Sequence, residues 1–126
     1  MGNRAVIASE GSKIGIYLHW NGGRDSVEAF LKYCELKKYR GLPDSYGFAC
    51  LCQVIRNYFG DSGLSIGVDS LDKLDCNNGD NGVYLVTDWK IVGRADFNGE
   101  EQLTYSLEEM LKEIDEKQPI LGRLYV

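Results

Sequence analysis

Histidine, proline and methionine are nearly missing from this chain: of 126 residues, one is histidine, two are proline and two are methionine. A single imidazole argues against a histidine-rich metal centre and leaves His19 with no second histidine to share a proton. So little proline excludes a polyproline linker or a proline-rich recognition segment. No hydrophobic run approaches the ~20 apolar residues that carry a helix across a bilayer. The N-terminus shows no basic stretch followed by an apolar run and a small-residue cleavage site, so a cytoplasmic protein with reduced thiols and no membrane association is expected. The four cysteines, Cys34, Cys50, Cys52 and Cys76, lack C-x-x-C spacing. A thiolate zinc site is therefore not expected, nor any other metal or cofactor. Positive charge is also short: 14 Lys and Arg stand against 19 Asp and Glu, a net of −5. That balance argues against a general grip on long DNA or RNA.

What is present suffices for one core. Hydrophobic residues make up 44% and aromatics 11%, and the length fits a single domain over residues 1–126. The charges are unevenly spread: residues 1–60 carry eight basic and five acidic side chains, residues 61–126 six basic and fourteen acidic. A bound phosphate is therefore expected in the first half.

Two short β-rich runs, 4–9 and 14–20, flank Glu10-Gly11-Ser12 and predict a hairpin. Asp25 and Glu28 stand three apart as N-cap and N3 acceptor, and Val27, Phe30, Leu31 and Cys34 follow helical spacing, with Gly41 and Pro43 as the stop. Asp44 or Ser45 caps a second helix with Phe48, Leu51, Cys52, Ile55 and Phe59 on its apolar face, and Gly60 ends it. Strand pattern returns over 64–68, 83–87 and 90–94; Asp88-Trp89 is either a tight turn or part of one bent strand. Ser106 and Glu109 form a second capping box before Leu107, Met110, Leu111 and Ile114, a short helix closing before Pro119. The apolar tail Ile120, Leu121, Leu124, Tyr125 and Val126 either pairs as an edge strand or docks on another subunit. The sum is an α+β domain: a small mixed or antiparallel sheet of about four to five strands, two central helices and a short C-terminal helix.

The strand, Asn21-Gly22-Gly23-Arg24 bend and helix make a candidate anion site, because amides at a helix start are unpaired and lie at the positive end of its dipole. Gly22 and Gly23 permit close backbone approach, Arg24 adds a guanidinium fork, and Asp25 caps. The bend lacks the Lys-Ser/Thr pair of a Walker loop and the three glycines of a dinucleotide fingerprint. A solvated Arg24 on an already capped helix is the alternative. His19 or Trp20 places one ring beside this mouth. Arg56 and Asn57, off the apolar face of the second helix, are further phosphate-side candidates; a surface arginine near a helix C-terminus is the alternative. The loop 75–82 fails as an EF-hand, with glycine at the fifth position and Val86 at the twelfth. It suits ribose hydroxyls or a base edge, with Tyr84 or Trp89 for stacking, or is a multiple turn with no ligand. For catalysis, His19 lacks a partner that would orient it, and no carboxylate pair stands out, so a noncatalytic protein is expected.

The segments Gly15-Ile16-Tyr17-Leu18-His19-Trp20-Asn21-Gly22-Gly23-Arg24-Asp25-Ser26, Leu51-Cys52-Gln53-Val54-Ile55-Arg56-Asn57-Tyr58-Phe59-Gly60 and Asp80-Asn81-Gly82-Val83-Tyr84 resemble the first Thoeris anti-defence family of phage proteins. The resemblance spans roughly residues 4–116 in size and element order. It implies an α+β protomer that forms a homodimer or a hexamer. It also implies that a cyclic ADP-ribose isomer made by bacterial TIR-domain enzymes is bound whole, between protomers, and so withheld from the host defence effector. Some relatives are also thought to take cyclic di- or trinucleotides. Two rival readings follow from the residues: a small nucleotide hydrolase using His19, and an inhibitor that binds a host defence protein through the acidic second half and apolar tail.

Overall fold

Alternating apolar residues on either side of Glu10-Gly11-Ser12 pair as a hairpin, β1 (Ala5–Ala8) antiparallel to β2 (Ile14–Leu18), with Ile7 opposite Ile16. The computed structural model describes residues 2–125, so Val126 of the expected apolar tail lies outside the described residues. Strand β3 (Ile66–Ser70) continues antiparallel beside β2, two residues later than the 64–68 run suggests. Strands β4 (Val83–Thr87) and β5 (Lys90–Ala95) form a second hairpin. Asp88, at φ 58°, and Trp89 make its two-residue turn, so one bent strand is excluded. The hairpins join through a parallel β1–β4 ladder, giving a mixed five-stranded sheet in the order β3-β2-β1-β4-β5.

Register divides the sheet into two apolar faces. Ala5, Ile7, Ile16, Leu18, Tyr84 and Val86 meet the helices in the main core. On the opposite face Val6, Ala8 and Val83 collect Tyr17, Leu71, Leu74, Cys76 and Leu85 in a smaller cluster. Each fully buried aliphatic side chain in the main core contributes about 1.5–3 kcal/mol relative to exposure.

Helix α1 (Arg24–Leu36) buries Val27, Phe30, Leu31 and Cys34, the spacing its pattern predicts. Its N-cap is Gly23 and not Asp25, and it stops before Lys37 and Lys38, the latter at φ 61°, ahead of Gly41 and Pro43. Helix α2 (Ser45–Phe59) is capped by the Asp44 carboxylate, which accepts from the amides of Tyr46 and Gly47, and ends at Gly60, φ 68°. Helix α3 (Leu107–Glu116) starts on the Ser106 hydroxyl, which accepts from the Glu109 amide at 3.2 Å. It packs on α1 through Met110, Leu111 and Ile114. Among the described residues the segment after it pairs with no strand: Ile120–Gly122 is one 3-10 turn, with Ile120 and Leu121 exposed. Asp115 anchors that end, accepting from the Tyr33 hydroxyl at 2.6 Å and the amides of Leu124 and Tyr125. Among the described residues no helix is long and apolar enough to cross a membrane.

Candidate functional site

The bend of Asn21, Gly22, Gly23, Arg24 and Asp25 lies at the joint between β2 and α1, and neighbouring chain already occupies it. Gly22 and Gly23 are buried. The Gly22 amide donates to the Asn3 carbonyl at 2.8 Å, and the Asp25 amide donates to the Gln102 carbonyl at 3.0 Å. The buried Asp25 carboxylate accepts from the amides of Ser26, Thr104 and Tyr105 at 2.7, 2.8 and 3.0 Å. Residues 101–105 thus form a strap across the start of α1 and use the positive end of its dipole internally. The two glycines serve this packing and leave no opening for a ligand: a Cβ on Gly22 would lie 2.5 Å from the Asn3 carbonyl oxygen, and one on Gly23 2.5 Å from the Gln102 side chain.

Tyr84 is fully buried beneath this joint and donates its hydroxyl to the Gly22 carbonyl at 2.7 Å. Burial pushes its phenol above the ordinary tyrosine range. Full burial leaves no ring face of Tyr84 for a ligand, and the Arg94 guanidinium lies over the ring, 3.8 Å from its centroid. Trp89 is likewise buried, its indole N–H donating to the Tyr39 carbonyl at 2.9 Å. Both are core rings and not the free stacking platforms that loop 75–82 was expected to find beside it.

That loop is also closed on itself. The Asn78 side chain donates to the carbonyls of Asp75, Cys76 and Gly82 and accepts from the amides of Asp80 and Gly82. Asn81 donates to Asn3 and to the Arg4 carbonyl. The amide side chains are spent on a multiple turn, the alternative reading of this segment. Beside it, Gly2, Arg4, His19 and Asp80 line an open depression of about 290 Å³. His19 shares a 2.8 Å hydrogen bond between Nδ1 and the Tyr17 hydroxyl, and its ring meets Trp20 edge-on at 4.7 Å. Trp20 is 42% exposed and is the freest indole. Arg4 there is already paired with two carboxylates, Asp80 at 2.8 Å and Asp75 at 3.6 Å, so its positive charge is spent and an anion is disfavoured.

Asn21 lines another depression, of about 450 Å³, with Tyr58, Phe59, Glu113, Glu116 and Lys117. Two carboxylates against one ammonium again disfavour phosphate. Arg56 donates to the Ser62 carbonyl and closes the turn after α2, while Asn57 donates to Gln118 at 2.9 Å. Neither is brought to the α1 bend as a phosphate ligand.

One groove does combine cations with an apolar floor. Arg24, Lys32 and Lys90 rim a cavity of about 390 Å³ between α1 and β5, with Glu28 on the same rim and Leu31, Trp89, Ile91 and Leu107 lining it. Arg24, Glu28 and Lys32 reach it because they fall at i, i+4 and i+8 on one helix face. Lys90 reaches it from the start of β5. Lys32 and Lys90 both lean on Glu35, at 2.8 and 3.1 Å. Arg24 pairs with Glu28 at 2.6 Å and with Glu101 at 2.8 Å. Arg94 pairs with the other oxygen of Glu101. Four cations therefore meet three carboxylates here, the reverse of the balance at Arg4. Of the expected site residues, only Arg24 and Trp89 line this groove. Lys32, Lys90, Arg94 and Glu101 carry no motif; for Lys32 the helical spacing from Arg24 was the available signal.

Compared with known proteins, the chain matches no family model, no curated protein and no solved structure.

Proposed function

We propose that the protein captures a cyclic ADP-ribose-type signal without altering it, holding the diphosphate at the mouth of the α1–β5 groove. The observation that carries this reading is the convergence of Arg24, Lys32 and Lys90 over the apolar residues Leu31, Trp89, Ile91 and Leu107. The cavity volume falls within the ~300–1,000 Å³ typical of small-molecule sites. Exposed ion pairs such as those of Lys32 and Lys90 with Glu35 are worth only ~0–1 kcal/mol, so a doubly charged diphosphate competes for the ammonium groups at little cost. The apolar floor suits the uncharged edges of ribose and adenine. The resemblance to the phage anti-defence family supplies the ligand class. In that reading the protein acts in the cytoplasm of an infected bacterium, as a homodimer or hexamer, and keeps TIR products from the defence effector.

The test mixes equimolar protein with a cyclic ADP-ribose isomer, removes protein by ultrafiltration and assays the filtrate. Depletion, followed by release of the intact nucleotide on heating, is the expected result. An undepleted filtrate, or release of a cleaved product, overturns the reading. Turnover of more than one nucleotide per protomer, lost in His19→Ala, would establish the hydrolase instead.

A further inference from the structure

At the Arg24 end of the groove, two guanidinium groups converge on one carboxylate. Glu101 Oε2 accepts from Arg24 at 2.8 Å, and Glu101 Oε1 accepts from Arg94. Both arginines have partners besides Glu101. Arg94 is clamped between the Tyr84 and Phe97 rings, its guanidinium carbon 3.8 and 3.9 Å from their centroids, and donates further to the carbonyls of Val83 and Asn81. Arg24 is held independently by Glu28 on its own helix. Glu101, by contrast, comes from irregular chain after the exposed residues Asn98, Gly99 and Glu100. Its strap is pinned only from Gln102 onward, through the Gln102 carbonyl and the amides of Thr104 and Tyr105 on Asp25. Both donors keep other partners, and the acceptor is carried on a segment outside helix and strand.

We infer that Arg24 and Arg94 form a preorganised site for a diphosphate, which the Glu101 carboxylate occupies at rest and yields to the ligand. A carboxylate brings one charge and two oxygens to two guanidinium forks; a diphosphate brings two or more charges and at least four non-bridging oxygens, a better match to the donors presented. With Glu101 in place, the Arg94 side chain is 14% exposed. Displacement both opens it and removes the negative charge between the arginines. Glu101 thus acts as an internal competitor that sets a threshold for binding. The inference rests on the groove reading for the natural ligand alone; the anion chemistry stands on the two arginines.

Inorganic pyrophosphate is the probe, titrated calorimetrically into the full chain and its variants. Glu101→Gln is expected to bind at least tenfold more tightly than the wild type. Glu28→Gln removes the same charge from the other side of Arg24 and is expected to change affinity less than threefold. Adding Arg94→Lys to Glu101→Gln keeps the charge but loses the fork, and should abolish the gain. Equal gains in the two single variants, or a gain that survives Arg94→Lys, overturn the inference by assigning the effect to bulk charge. Should Glu101→Gln fail to fold, nitrogen-15 spectra of the wild type decide. Saturable shifts of the Arg24 and Arg94 Nε–H signals with pyrophosphate support the site, and unmoved signals overturn it. Pyrophosphate binding in this pattern without depletion of cyclic ADP-ribose would defeat the proposed function and leave this site standing; the opposite outcome would do the reverse.

Discussion

The Tyr84 hydroxyl donates to the Gly22 carbonyl at 2.7 Å across 62 residues of sequence, tying the start of β4 to the bend before α1. Tyr84→Phe keeps the ring on which Arg94 lies but strips a buried carbonyl of this donor. The expected loss is about 1–3 kcal/mol, the cost of leaving a buried acceptor unsatisfied. Urea denaturation checks it: the midpoint should fall with the slope unchanged.

Gly22 is constrained by contact and not by its dihedral angle. A Cβ there would meet the Asn3 carbonyl oxygen at 2.5 Å, the Ala5 Cβ at 2.8 Å and the Arg4 carbonyl carbon at 2.9 Å, mostly backbone that cannot step aside. Gly22→Ala should cost about 1–3 kcal/mol, as other overpacked sites do. Gly23→Ala meets only the Gln102 side chain, whose amide can rotate away at the cost of its hydrogen bond from Asn3, leaving the Gln102 Cβ at 3.0 Å. Its thermal midpoint should fall by less than that of Gly22→Ala.

Local features were legible in the residues. The Asp44 and Ser106 caps, the Gly60 stop and the apolar faces of all three helices follow from spacing alone, because each is decided within a few residues. The parallel pairing of β1 with β4 was not, since nothing local links Val6 to Val83. The packing of the 21–25 bend was illegible for the same reason. The bend at residues 21–25 reads as free donors until a strap about 80 positions later, which carries no periodicity, is folded onto it. Arg94 and Lys90 were unreadable as site residues because only sheet register brings β5 beside α1.

Asp25 is the strap's anchor. Asp25→Ala removes the acceptor for the amides of Thr104 and Tyr105, and hydrogen bonds to a charged group are worth ~1.5–3 kcal/mol. Hydrogen exchange should accelerate at residues 104 and 105, while amides in the middle of α1 stay protected. Unchanged exchange at those two positions would remove the strap from this role.

Acid should weaken the fold through two carboxylates. Burial pushes Glu101 upward, but hydrogen bonds and charge from Arg94 and Arg24 outweigh it and hold the group below its ordinary value. Asp115 is likewise pushed up by burial and held down more strongly by the Tyr33 hydroxyl, the Leu124 and Tyr125 amides and Arg123. A depressed folded value means the unfolded chain binds more protons. The stability is present above the ordinary carboxylate range of ~4 and is lost as pH falls through it toward the folded values. Urea midpoints between pH 7 and pH 3 should decline, and Asp115→Asn should flatten that decline while lowering the midpoint at pH 7.

Binding and stability should separate at the groove rim. Lys32 and Lys90 share Glu35 on a solvated surface, where single ion pairs contribute ~0–1 kcal/mol. Lys32→Ala and Lys90→Ala should therefore leave the thermal midpoint nearly unchanged. Each is expected to weaken capture of a cyclic ADP-ribose isomer roughly tenfold, the effect of losing about 1.4 kcal/mol of phosphate contact. Rising salt should weaken the wild type more than the double variant, because the contacts removed are those that mobile ions screen. Arg56→Ala, whose guanidinium is spent on the Ser62 carbonyl, should bind like the wild type. Wild-type capture in both lysine variants, measured by equilibrium dialysis, would place the ligand outside this groove.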